Sequence, residues 1–237
     1  IILSIAFLYG AFISTYFEPE KPSPAYEYST TSSEPETQVD TVFSEDVIEA
    51  RKRFEEGEKL VLQGKWEAAA GEFRKVITLA PDHPSAHTQL GYVLYRLRRY
   101  DQAIEALTRA TEIADAFEPN FYLGMTYKAQ NNWDFAGDSF AQAIELNTNL
   151  NDSRFADANY YLSQSLEKTG ELSDEIARME NQIETNIAYT TDRFQLATHY
   201  LWAGKPNLAK RQLDALKTRD ENLAKQLQRL INLHQSR

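Results

Sequence analysis

Residues 57–81 read GEKLVLQGKWEAAAGEFRKVITLAP, and the chain returns to this pattern twice more. The first copy sets Gly57 ahead of a glycine-containing turn, then Trp66, Ala69, Phe73 and Val76. The second carries Leu90, Gly91, Leu94, Tyr100, Ala103, Leu107 and Ala110. The third carries Leu123, Gly124, Tyr127, Trp133, Ala136, Phe140 and Ala143. From Gly57 to Gly91 is 34 residues and from Gly91 to Gly124 is 33, and the aromatics Trp66, Tyr100 and Trp133 keep the same steps. A period of this length means stacked helical hairpins, because one hairpin cannot bury its apolar face alone.

The pattern resembles the tetratricopeptide repeat (TPR) family. Trp66-x2-Ala69-x3-Phe73 and Trp133-x2-Ala136-x3-Phe140 match the second half of its motif, and Leu90-Gly91-x2-Leu94 and Leu123-Gly124-x2-Tyr127 the first. Gly and Ala at the eighth and twentieth positions let two helices approach closely, while large residues fill the space between repeats. Two departures stand out: Arg53 and Glu56 occupy apolar positions of the first repeat, and Arg98 replaces the turn glycine of the second. The expected fold is an all-α solenoid over residues 46–237, with repeats near 50–81, 84–115, 117–148, 156–185 and 190–217. The fourth repeat has Leu162, Ser163, Leu166, Gly170 and Leu172 in register but Glu175 at the usual alanine. An amphipathic capping helix over residues 220–233 puts Leu223, Leu227, Leu230 and Ile231 on one face.

Charge and composition narrow the function. The 237-residue chain carries a net charge of −10 and no cysteine. It offers no polyanion-binding footprint, so nucleic acid is not an expected partner. Disulfides, thiolate metal sites and cysteine nucleophiles are excluded. No phosphate loop, HExxH or nucleophile elbow is present, and no catalytic residue, cofactor or metal is expected. His83 and His87 are four residues apart, but Pro84 lies between them and opens the helix after His83.

Residues 1–17 (IILSIAFLYGAFISTYF) hold no charge and, as a helix, would span about 25 Å, near the lower limit for crossing a bilayer. They are expected to be a transmembrane signal anchor in contact with lipid. Ala6, Gly10 and Ser14 recur every fourth residue and share one face, which suits close approach of another transmembrane helix. Small residues are also simply common in membrane helices. Residues 18–45 are expected to be a disordered linker: Glu18–Asp46 holds eight acidic residues, one lysine and four prolines. The expected setting is the periplasmic side of a bacterial inner membrane.

What the resemblance implies about binding is a concave groove lined by the first helix of each repeat. Its positions here give Phe54, Glu58, Tyr92, Tyr95, Glu118, Phe121, Tyr122, Met125, Tyr160, Tyr161, Phe194 and Trp202. Rigid aromatic anchors at this density suit a protein or peptide segment. Positions that in some TPR co-chaperones clamp a carboxylate hold Phe54, Glu58, Gln89, Glu118 and Tyr122, none of them positive. Two functions follow: a membrane-anchored scaffold that holds a partner during complex assembly, or a constitutive subunit of a membrane complex.

Overall fold

The computed structural model describes residues 45–147, 149, 152–185 and 190–235. The anchor expected over residues 1–17, with its face of Ala6, Gly10 and Ser14, lies outside them, as does the linker up to residue 44. Among the described residues there are eleven helices and no strand, and no helix is long and apolar enough to cross a membrane. In order they are α1 (Glu45–Leu62), α2 (Trp66–Leu79), α3 (Pro84–Arg96), α4 (Tyr100–Ile113), α5 (Phe117–Ala129) and α6 (Trp133–Glu145). Then follow α7 (Ser153–Thr169), α8 (Leu172–Thr185), α9 (Thr190–Trp202), α10 (Pro206–Lys217) and α11 (Glu221–Gln235).

Glycine decides how the first three hairpins close. A Cβ placed on Gly57 would lie 2.6 Å from the Phe73 ring, one on Gly91 2.4 Å from Leu107, and one on Gly124 2.8 Å from Phe140. Each glycine thus faces the large side chain sixteen residues on, and Phe73, Leu107 and Phe140 are fully buried. Ala69, Ala103 and Ala136 are also fully buried, so α1/α2, α3/α4 and α5/α6 pack along their length. The small residues trade side-chain burial for backbone proximity, and the large ones recover the dispersion energy.

The turns repeat as strictly as the cores. Gly64, Arg98, Asn131, Gly170 and Gly204 all have positive φ, between 58° and 88°. At each turn the next residue's N–H reaches back five residues: Lys65 to Leu60, Arg99 to Leu94, Asn132 to Tyr127, Glu171 to Leu166 and Lys205 to Tyr200, at 2.8–2.9 Å. This left-handed cap satisfies carbonyls that the helix end would orphan. Arg98 therefore keeps the geometry of the glycine it replaces.

The fourth hairpin differs from its expected form. Helices α7 and α8 touch at a few points only; α7 packs instead on α6 and α9. Glu175 stands where Ala69, Ala103, Ala136 and Ala209 provide a flat contact, and Ser163 stands where a glycine would be. Both need polar company that a close contact cannot supply. Ser163 finds it by donating to the Asn159 carbonyl at 2.8 Å and lying 2.8 Å from His199 Nδ1 on α9.

The first helix presents a charged outer face. Thirty-four residues ahead of buried Ala86, His87 and Leu90 stand Lys52, Arg53 and Glu56. Arg53 pairs with Glu49 at 2.6 Å and with Glu72 at 3.2 Å, and Lys59 pairs with Glu56 at 3.3 Å. At the other end α11 packs on α10, α9 and also α7. Its Leu223, Leu227, Leu230 and Ile231 join one core with Phe155, Phe194 and Leu213.

Candidate binding groove

The first helices of the second and third repeats place aromatic residues side by side. On α3 and α5 those residues form a tyrosine wall: Tyr92 and Tyr122 lie 4.8 Å apart between ring centroids, tilted by 38°. Tyr92 also meets the edge of Trp66 at 6.1 Å. The Arg96 guanidinium sits 4.2 Å above the Trp66 ring and donates to the Tyr92 hydroxyl at 2.8 Å. Tyr92, Tyr95, Tyr122 and Met125 are half-buried, so each leaves surface to offer. Farther along, Lys128 Nζ lies 3.9 Å from the Tyr161 ring centroid, which joins α5 to α7.

Charged groups frame this wall. Arg154, at the start of α7, donates to Glu118 at 2.9 Å and to Asp152 at 2.8 Å. Asp152 is buried and caps α7 by accepting from the Arg154 N–H at 2.9 Å. Burial opposes the Arg154 charge, but the hydrogen bond it donates to Asp152 and the charge of Glu118 outweigh it, so the guanidinium stays protonated. Burial lifts the Tyr122 hydroxyl well above the usual tyrosine value, and Glu118 adds to the rise. Burial also pushes the Glu58 carboxyl above the usual carboxylate range, with Glu55 and Glu118 contributing in that order. Glu58 and Glu118, on α1 and α5, thus feel each other across α3.

Several expected groove residues belong to the interior. Phe121 is 6% exposed and packs at 6.0 Å against Phe140, and Phe194 is fully buried at 5.5 Å from Phe155. Neither can meet a partner in this structure. Both sit at the fifth repeat position, where Thr88 is buried too, so that row points between helices. Tyr160 and Trp202 pack at 4.9 Å and lean on the core that α11 completes. Both remain half-buried, as Tyr92 and Tyr122 are. Phe54 is half-buried, stacked at 5.2 Å on His83 and 5.6 Å from Phe73. Tyr161 is half-buried beside Phe140 at 5.4 Å.

The two histidines serve the backbone. His83 Nδ1 accepts from the Ala86 N–H at 3.1 Å and caps α3, while His87 Nε2 meets the Pro81 carbonyl at 2.8 Å. Sequence reasoning missed Arg154 and Asp152, because both fall in the stretch where the period breaks. An Asp-x-Arg pair just before a first helix was the available signal.

A run of helical hairpins packed on their neighbours in chain order defines a helical-repeat solenoid. Residues 54–119 match the tetratricopeptide repeat family. Human tetratricopeptide repeat protein 13 is 32% identical over 83 residues, 35% of this chain and 10% of that protein. The chain thus spans about a tenth of that relative's length. Among solved structures, MamA aligns at 22% identity with a TM-score of 0.50, covering 74% of this chain and 94% of that one. The Pseudomonas aeruginosa pilF structure aligns at 14% identity with a TM-score of 0.50, covering 73% and 77%. At these identities the likeness shows the fold alone. Proteins built from these repeats are interaction scaffolds that bind protein or peptide partners.

Proposed function

We propose that the chain is a membrane-anchored scaffold that holds a segment of another protein on the wall formed by α1, α3 and α5. Assembly of a membrane-associated complex is the process it would serve. One observation carries the reading: Tyr92 and Tyr122 lie 4.8 Å apart on adjacent first helices and, with Tyr95 and Met125, remain half-buried. A segment laid there buries apolar side chains against rings that lose little entropy on binding. The anchoring part rests on the uncharged run over residues 1–17.

The test uses the full-length chain, kept in solution by a non-ionic detergent, on an array of immobilised random hexapeptides. Replacing Tyr92 and Tyr122 together with Ala is expected to reduce peptide signal about tenfold or more, with helical circular dichroism retained. Retained binding by a folded double variant would move the search to the convex face. For the anchor, alkaline extraction of membranes is expected to leave the full chain in the pellet and a chain starting at Glu45 in the supernatant.

A further inference from the structure

Four charged groups beside the tyrosine wall are already engaged. Arg96 is held by Trp66 and Tyr92, Lys128 by Tyr161, and Arg154 by Asp152 and Glu118. Glu55 pairs with Arg51 at 3.3 Å. Glu58 has neither a hydrogen bond nor an ion pair among the described residues, although it is half-buried. A carboxylate kept partly out of water without a partner costs stability, and the negative neighbours Glu55 and Glu118 add to that cost.

Resting on the reading of the groove as a peptide site, we infer that it takes a segment bearing a lysine or arginine. That side chain is seated between Glu58 and Glu118 against the Tyr92–Tyr122 pair. The cation answers the Glu58 carboxylate, and its neighbours offer aromatic faces that attract positive charge. The chain's own linker is the wrong occupant. Glu18–Asp46 carries eight acidic residues and one lysine, and would meet like charge. The occupant is therefore a basic segment of a different molecule.

The same hexapeptide array distinguishes this inference from the groove reading beneath it. Peptides bound by the full-length chain are expected to be enriched in Lys and Arg. Glu58→Gln is expected to weaken those peptides at least tenfold, while the free variant melts at a higher temperature because the unpaired charge is gone. Unchanged binding of basic peptides to Glu58→Gln, or a bound set dominated by acidic or uncharged peptides, overturns the inference. If Tyr92→Ala then abolishes binding, the groove survives and only the cation is lost from the account. Peptides indifferent to both substitutions, or an array that captures none, remove the groove as well.

Discussion

Hairpins α1/α2, α3/α4 and α5/α6 close around a glycine pressed on Phe73, Leu107 or Phe140, whereas α7 meets α9 through Ser163, Asn159 and His199. The first arrangement has no polar atom to satisfy and tolerates almost no change in volume. The second accepts looser packing and relies on hydrogen bonds, which leave His199 Nε2 and Asn159 Oδ1 buried without a partner among the described residues. Close packing specifies a rigid curvature, and a rigid curvature holds the inward wall of α1, α3 and α5 in place. The polar interior lets α8 swing away and α11 curl back onto α7. One end of the array thus closes in regular hairpins, and the other packs its last helix back across α7, α9 and α10.

The largest expected effect breaks the tight end. Gly91→Leu would push at least four carbons into a space where even a Cβ lies 2.4 Å from Leu107, costing about 3 kcal/mol or more. Chemical denaturation checks it; unaltered stability would mean that α3 and α4 are not in intimate contact. The next effect belongs to the polar end. Burial lowers the His199 pKa from 6.5 to about 4, with Glu175 and Arg178 on α8 acting on it in opposite directions. Folded protein holds this proton more weakly than unfolded chain, so the stability that neutral His199 secures is complete above about pH 6.5. It drains as the pH falls toward about 4. His199→Gln is expected to shrink the stability difference between pH 7 and 4.5 by roughly 2 kcal/mol relative to the parent. An identical pH profile would place His199 in contact with water.

The smallest effect sharpens the comparison at a turn. Arg98 holds φ at 58°, where a side chain is strained and glycine is not. Arg98→Gly should stabilise the second hairpin by about 1 kcal/mol. Asn131→Gly, with φ at 60°, should gain less, because asparagine already tolerates that region. Thermal melts of the two variants test the ranking.

The tight end was legible in the sequence because its contacts are local and periodic. Gly57, Gly91 and Gly124 announce their partners sixteen residues on, and no distant element can alter that demand. The groove was legible only in part. Tyr92, Tyr122 and Glu58 could be placed on inward faces from the repeat register, but the burial of Phe121 and Phe194 depends on how neighbouring helices tilt. The core on which Tyr160 and Trp202 lean is completed by α11, a long-range outcome that no 34-residue pattern encodes. The Ser163–His199 contact joins residues of different repeats and left no spacing to read.

The ion pairs on the outer face of α1 have a consequence for how copies of this molecule behave together. A stack of interchangeable units with an uncovered apolar end is an open-ended polymer, since each terminus is a template for the next chain. Here the first helix carries Lys52, Arg53, Glu56 and Lys59, with Arg53 paired to Glu49 and Lys59 to Glu56. The far side of α11 shows Glu221 bound to Lys225 at 2.7 Å. Ion-paired faces reward another copy less than bare apolar ones would, which works against threading many copies into filaments.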